Sequence, residues 1–238
     1  MLNISIYFKL FWNNLIIKFG KGYRFLFNIS LIGLLEKLYP EGCDFIFIQI
    51  GANDGVSHDN IFDFVIKRNT KGILVEPLKD YYLKLCENYK KFPQIVKYNI
   101  ALHPSEKEIN LYRIKPEYEN KLPEWAGGIA SLNPNHHKKL EIPSEYIIAE
   151  VVMAKNFDDI LTEFPNFKII DLIQIDTEGF DYEILKMIDF KKYKIKFIKF
   201  EHINLTEHDY SEAIRKLKRE GFIIFKQGND TIALNKIQ

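Results

Sequence analysis

Cysteine is nearly missing from this chain of 238 residues. The two present, Cys43 and Cys86, show no CxxC spacing, which argues against a disulfide scaffold or a zinc knuckle and fits a reducing, cytoplasmic compartment. An excess of one charge is missing too. Lys and Arg number 33 against 32 Asp and Glu, whereas a dominant nucleic-acid surface would show a strong basic excess, so no nucleic-acid partner is expected. The lysine runs at Lys191–Lys196 and Arg215–Arg219 read as solvated faces. There is no internal repeat, no low-complexity linker and no GxGxxG fingerprint. The longest uncharged stretch near the N-terminus, Phe25 to Leu35, is too short to span a membrane. A sole early charge at Lys9 and no small-residue cleavage site make a poor signal peptide.

What remains is one α/β domain's worth of chain, with an ordinary 47% hydrophobic content. Residues 1–42 read as an N-terminal helical segment, rich in Phe, Leu and Ile. It is expected to pack on the domain as a lid or dimer contact, or to lie on a membrane surface with its basic side outward. From residue 43 to 238, strand and helix patterns alternate, as in a parallel sheet with right-handed crossovers. Strands are expected at Phe45–Ile50, Gly72–Glu76, Ile95–Ile100, Ile169–Ile175 and Ile195–Phe200. Helices are expected at Ser57–Arg68, Lys79–Lys91 (with Tyr82, Leu83, Leu85 and Cys86 inward), Tyr182–Ile188 and Ser211–Glu220. Two further strands, Glu108–Ile114 and Tyr146–Met153, flank an insert at about residues 115–145. Its prolines and its Gly127-Gly128 pair mark it as irregular, while Trp125, Ile129 and Leu132 mark it as ordered and near the site. The chain ends in a hairpin, Phe222–Lys226 and Thr231–Leu234.

The most informative stretch is Phe45 to Gly55. A buried strand breaks into Gly51-Ala52-Asn53-Asp54-Gly55 and then a helix, the layout that brings backbone N–H groups up to a polar ligand. Without the close glycine pair of a pyrophosphate cradle, the turn suits S-adenosyl-L-methionine, which has no phosphates, better than a dinucleotide. The next strand ends in Glu76-Pro77. A carboxylate there can accept both hydroxyls of a ribose, and Pro77 holds it extended and offers a flat edge to an adenine.

Taken in order, FIQIGANDG, GILVEP, YNIAL, GGIASL and DLIQIDTEGFDYEIL resemble the FkbM family of S-adenosylmethionine-dependent methyltransferases, over roughly residues 45 to 235. The resemblance implies a class I methyltransferase fold: a mostly parallel seven-stranded sheet with helices on both faces and a C-terminal antiparallel hairpin. It implies O-methylation, often of sugar hydroxyls in glycans or natural products. By the same similarity Gly51, Ala52, Asn53 and Gly55 would line the methionine end of the cofactor. Glu76 would hold the ribose, and Asn99 with Ala101 would lie by the adenine. Many methyltransferases have an acid where Gln49 stands. Gln49 can still hydrogen-bond the cofactor's amino group, without charge.

At the reacting end, Asp176 and Glu178 follow the fourth strand, and Glu201 and His202 the fifth. Methyl transfer to a hydroxyl is an in-line displacement at carbon that often needs a base. Asp176, Glu178 or His202 can supply it, with His58, Ser131 and Glu201 as substrate contacts. A carboxylate and a histidine can also hold a divalent cation, but adjacent His136 and His137 lack ligand spacing and read as surface, so no metal site is assigned. The expected activity is an O-methyltransferase acting on a small-molecule or glycan acceptor. The alternative is a non-catalytic cofactor-fold module that binds a membrane-associated biosynthetic complex through its Phe-rich N-terminus. A nicotinamide dehydrogenase is disfavoured by the missing fingerprint and by the terminal hairpin. A nucleic-acid base methyltransferase is disfavoured by the lack of an Asn/Asp-Pro-Pro-Tyr motif after the fourth strand.

Overall fold

Successive side chains of a strand point to opposite faces, and in β1 (Asp44–Ile50) both faces are apolar. Phe45 and Phe47 lie on one, Ile48 and Ile50 on the other, all buried. Such a strand belongs in the middle of a parallel sheet. The computed structural model, which describes residues 30–57, 59 and 61–235, places it there. β1 pairs in parallel with β2 (Asn69–Val75) and β8 (Ile169–Ile175). β3 (Ile95–Tyr98) lies outside β2, and β9 (Lys194–Glu201) outside β8, again in parallel. The hairpin of β10 (Phe222–Gln227) and β11 (Asp230–Asn235) then closes the other edge in antiparallel fashion. The order across the seven strands is β10-β11-β9-β8-β1-β2-β3, the expected sheet.

The two faces carry separate helical layers. On the side of Phe45 and Phe47 lie α1 (Leu31–Leu38), α2 (Phe62–Val65) and α3 (Lys79–Asn88). On the side of Ile48 and Ile50 lie α6 (Phe157–Thr162), α7 (Asp181–Met187) and α8 (Glu207–Arg219). Each fully buried Phe, Ile or Leu contributes about 1.5–3 kcal/mol of transfer free energy, so these layers are the main source of stability. Helix starts are capped by side chains. Ser30 Oγ accepts from Gly33 N, and Thr206 Oγ1 from Asp209 N, both at 3.0 Å.

Two local expectations need correction. The helix over Ser57–Arg68 shrinks to α2, because carboxylates satisfy the backbone before it can coil. Asp54 Oδ1 accepts from Val56 N and Ser57 N, and Asp59 Oδ1 from Ile61 N. In α3 the buried positions are Tyr81 and Leu85, four apart on one face, while Leu83 is 55% exposed. The strands expected on either side of the insert are present. β5 (Glu108–Ile114) and β7 (Ile147–Lys155) pair antiparallel, and with β4 (Ala101–Leu102) and β6 (Ala130–Ser131) they form a second, four-stranded sheet. α4 (Pro116–Glu119) and α5 (His136–Lys139) fill the connections.

Arg113 locks this second sheet to the first domain layer. It is buried, bidentate to Asp80 of α3 at 2.7 Å through both nitrogens, and also reaches Glu119 at 3.1 Å and Glu150 at 3.3 Å. Of the N-terminal segment, residues 1–29 lie outside the described residues, and with them the expected lid, dimer or membrane contact. What is described, α1, buries Leu31, Leu34 and Leu35 in the core. No helix among the described residues is long and apolar enough to cross a membrane.

Candidate active site

A cleft of about 530 Å³ opens at the C-terminal ends of β1, β2, β8 and β9, roofed by the insert. Open parallel sheets bind ligands in this place, and the volume suits a molecule the size of a nucleoside with a side arm.

The first wall is the turn after β1. Gly51 has φ +77°, and a Cβ there would sit 1.7 Å from the Asp176 carbonyl oxygen, so only glycine lets the tips of β1 and β8 approach. Gly51 N and Ala52 N both donate to Val75 O at 3.0 Å. Asn53 is also left-handed, at φ +51°, a conformation Asn tolerates better than most residues. Its N–H donates to Glu76 Oε2, while Leu78 N donates to Oε1, both at 2.8 Å. Two backbone donors therefore aim the Glu76 carboxylate. Burial nevertheless outweighs them and pushes its pKa up to about 7.

Val75, Pro77, Ala101, Leu102 and Leu111 give the cleft an apolar lining. The insert approaches closely. Gly128 has φ +80°, and a Cβ there would lie 2.4 Å from Asn53 Nδ2, which itself reaches Gly127 O at 3.3 Å. Trp125, from the same segment, lines the cleft and is 49% exposed.

The end of the cleft at the tips of β8 and β9 carries three carboxylates. Oxygens of Asp176, Glu178 and Glu201 all lie within 4.8 Å of one another. Asp176 opens onto the cleft, yet desolvation by the surrounding walls, then the charges of Glu201, Glu178 and Asp181, push its carboxyl well above the usual range. Burial and the Glu178 charge lift Glu201 to about 7. Glu178 adopts a left-handed backbone at φ +53°, held there by its neighbours. Asn204 Nδ2 donates to Glu178 Oε2 at 2.8 Å and to Glu201 Oε2 at 2.7 Å. Ser131 Oγ donates to the Glu178 carbonyl at 2.7 Å, and His136 Nε2 stands 3.0 Å from Glu178 Oε2. A strained residue held by its surroundings is typical of working sites.

The expected site residues therefore divide. Gln49, Gly51, Ala52, Asn53, Glu76, Pro77, Ala101, Asp176, Glu178 and Glu201 line the cleft. Gly55, Asn99, Ser131 and His202 do not. Gly55 packs against Leu85 and Tyr89, and Asn99 Nδ2 clamps the carbonyls of Glu76 and Pro77 at 3.0 and 2.8 Å. Ser131 supports Glu178 from behind. His202 turns away from the carboxylates, its ring 5.2 Å from that of Tyr210. Burial, then Lys226, depress its pKa. His58 lies outside the described residues. His136, expected at the surface, is buried, because the fold of the insert sets its ring against the Glu178 carboxylate.

Two contributors escaped the sequence, Asn204 and Asp181, while Asp59 is visible there as a polar contact just after the glycine turn. Asn204 bridges two acids from the loop after β9. Asp181, fully buried, accepts from Thr177 Oγ1 and from Glu201 N, and burial lifts its pKa to about 6. Asp59 lines the cleft beside Gln49. Asp181 had a signal, since it stands five residues after Asp176 in the same motif, whereas Asn204 had none.

A mostly parallel seven-stranded sheet with a reversed terminal hairpin, and a ligand-sized cleft at its carboxyl edge, define the class I methyltransferase architecture. The model of the methyltransferase FkbM domain matches residues 49–224, and the chain belongs to that family; it is a methyltransferase. Among solved structures the chain is similar to a precorrin-6y C5,15-methyltransferase from Geobacter metallireducens (13% identity, TM-score 0.43, covering 92% of this chain and 95% of that one). It is also similar to a METTL16 methyltransferase domain (12%, TM-score 0.48, covering 87% and 66%). A third is TrmK of M. capricolum in complex with S-adenosyl-homocysteine (11%, TM-score 0.42, covering 88% and 70%). No curated protein matches the chain.

Proposed function

We propose that this methyltransferase uses S-adenosylmethionine to methylate a hydroxyl of a sugar, a glycan or a related small hydroxylated acceptor. The cofactor fits the donor set. A carboxylate aimed by two backbone amides faces the cleft, an apolar slot adjoins it, and the buried Gln49 Oε1 lacks a hydrogen-bond partner. When bound, the cofactor supplies an electrophilic methyl group on a sulfonium. Glu76 would accept the ribose hydroxyls, and Pro77, Ala101 and Leu102 would flank the base.

The observation that carries the hydroxyl assignment is the group of carboxylates at the tips of β8 and β9. A hydroxyl is a poor nucleophile until its proton is accepted, and a carboxylate whose pKa is held above the ordinary range is a better acceptor than an ordinary one. Asp176 is the group so placed in the cleft. Glu178 and Glu201, tied together by Asn204, present further acceptors to a polyol. Trp125 offers a flat apolar surface to the C–H face of a ring. Uptake of labelled methyl from S-adenosylmethionine into a panel of neutral mono- and oligosaccharides tests this. Asp176→Asn should retain cofactor binding and lower kcat by about 10²-fold or more. Transfer to RNA or protein and to no saccharide would refute the acceptor class. Undiminished turnover in Asp176→Asn would refute the base.

A further inference from the structure

Gln49 is only 2% exposed, and its Oε1 is buried without a hydrogen-bond partner. The amide cannot simply be turned round, because its Nε2 donates to Asp59 Oδ2 at 2.9 Å, and the reverse orientation would set an oxygen against a carboxylate. Oε1 therefore waits for a donor.

Asp59 is equally incomplete. Its Oδ1 accepts from Ile61 N at 3.0 Å, and Gln174, the cross-strand neighbour of Gln49, lines the cleft beside it. Lys199 stands next in the same row across β9, but its ammonium pairs with Asp230 at 3.2 Å. Among the described residues Asp59 thus has amide partners and no ion pair, and burial raises its pKa. Gln49, Asp59 and Gln174 all line the cleft. An orphaned acceptor beside an unpaired carboxylate is the complement of a primary ammonium, which carries one positive charge and three donors.

We propose that Asp59 and Gln49 form an ammonium subsite for the α-amino group of the cofactor's amino-acid tail, with the negative charge supplied by the loop after β1 instead of by β1 itself. This rests on the cofactor assigned above. It also accounts for an amide at position 49. A glutamate there would place two carboxylates in hydrogen-bond contact, and one would stay protonated.

Calorimetric titration with two ligands tests the proposal. S-adenosylhomocysteine carries the amino-acid tail, and 5′-methylthioadenosine lacks it. Asp59→Asn should weaken S-adenosylhomocysteine about 10- to 100-fold, the worth of a charge-assisted hydrogen bond, and leave methylthioadenosine within about twofold. Gln49→Glu alone should bring no gain. In the double variant Asp59→Asn/Gln49→Glu the strand again offers a carboxylate beside an amide, and at least tenfold of the lost affinity should return. An Asp59→Asn protein that binds S-adenosylhomocysteine normally overturns the proposal while the cofactor assignment stands. So does an equal loss for both ligands, or a double variant that binds methylthioadenosine but recovers nothing for the tail. Wild-type protein that binds neither ligand overturns both.

Discussion

Acidification should release the cofactor through Glu76. The carboxyl is buried, and its pKa is raised from the ordinary 4.5 to about 7. Ribose hydroxyls donate to the ionised form, so binding favours proton loss, and affinity must fall as pH drops through the pKa of the free protein. If ligand contacts restore an ordinary glutamate pKa, the span corresponds to about 3 kcal/mol at 1.36 kcal/mol per unit. About 1.5 units below the midpoint, near pH 5.5, the loss should approach ~30-fold. The same shift acts on stability with a definite sign. Between 4.5 and about 7 the folded carboxyl holds its proton while the unfolded one has lost it. The ligand-free protein therefore loses stability as pH rises through this window, and Glu76→Gln should lack that pH dependence. Titration calorimetry with S-adenosylhomocysteine from about pH 8 to about pH 5.5, in buffers of different ionisation enthalpy, reads both affinity and proton release. Asp59, Asp176 and Glu201 also titrate high, so the decisive quantity is wild type minus Glu76→Gln. The variant should bind weakly and lose the part of the slope that Glu76 contributes. Equal slopes in the two proteins, or wild-type affinity in the variant, would refute the placement of the ribose on Glu76.

Gly51→Ala should destabilise the protein by more than ~2 kcal/mol in urea denaturation, since its Cβ would overlap the Asp176 carbonyl at a left-handed φ; an unchanged midpoint would show that the strand tips can part. Arg113→Met should cost about 1–3 kcal/mol, because Asp80 and Glu150, 40% and 35% exposed, can be solvated once their cation is gone, and proteolysis should then cut first within residues 115–145. Trp125→Ala should leave the melting temperature and cofactor affinity nearly unchanged, because the ring is half exposed, and should raise KM for the acceptor. An unaltered KM would remove Trp125 from the acceptor wall.

The sheet was legible because its signals are local. Near-continuous apolar runs at Phe45–Ile50 and Ile169–Ile175 mark strands buried on both faces, and Gly51 and Glu76 sit where each run stops. The helical pattern over Ser57–Arg68 misleads because the apolar spacing of Ile61, Phe62, Val65 and Ile66 says nothing about Asp54 and Asp59, whose carboxylates capture the backbone amides first. The insert is legible only in part: the strands on either side of it show in the sequence, and their pairing does not. Its prolines and glycines signal turns truthfully, but the four-stranded sheet depends on β5 meeting β7 across more than thirty residues of chain, and a register of that length leaves no local trace.

The same contrast divides the candidate site. Its cofactor half is built from residues close in sequence, where each turn satisfies its own backbone, so strand-end motifs nearly suffice to locate Glu76, Asn53 and Gly51. Its acceptor half is assembled from distant pieces. His136 and Ser131 come from the insert, Asn204 from the loop after β9, and Arg113 holds the whole second sheet in place. Asp176 and Glu178 are visible as acids at a strand tip, but neither the raised pKa of Asp176 nor the held backbone of Glu178 follows from their own segment. Both depend on what folds against them. The cofactor end can therefore stay constant while the insert changes, and the insert is where a different acceptor would be read. Grafting residues 115–145 from a family member of different specificity should transfer the acceptor preference only if Arg113 and its carboxylate partners are kept, since without that lock the grafted wall has nothing to hold it over the carboxylates.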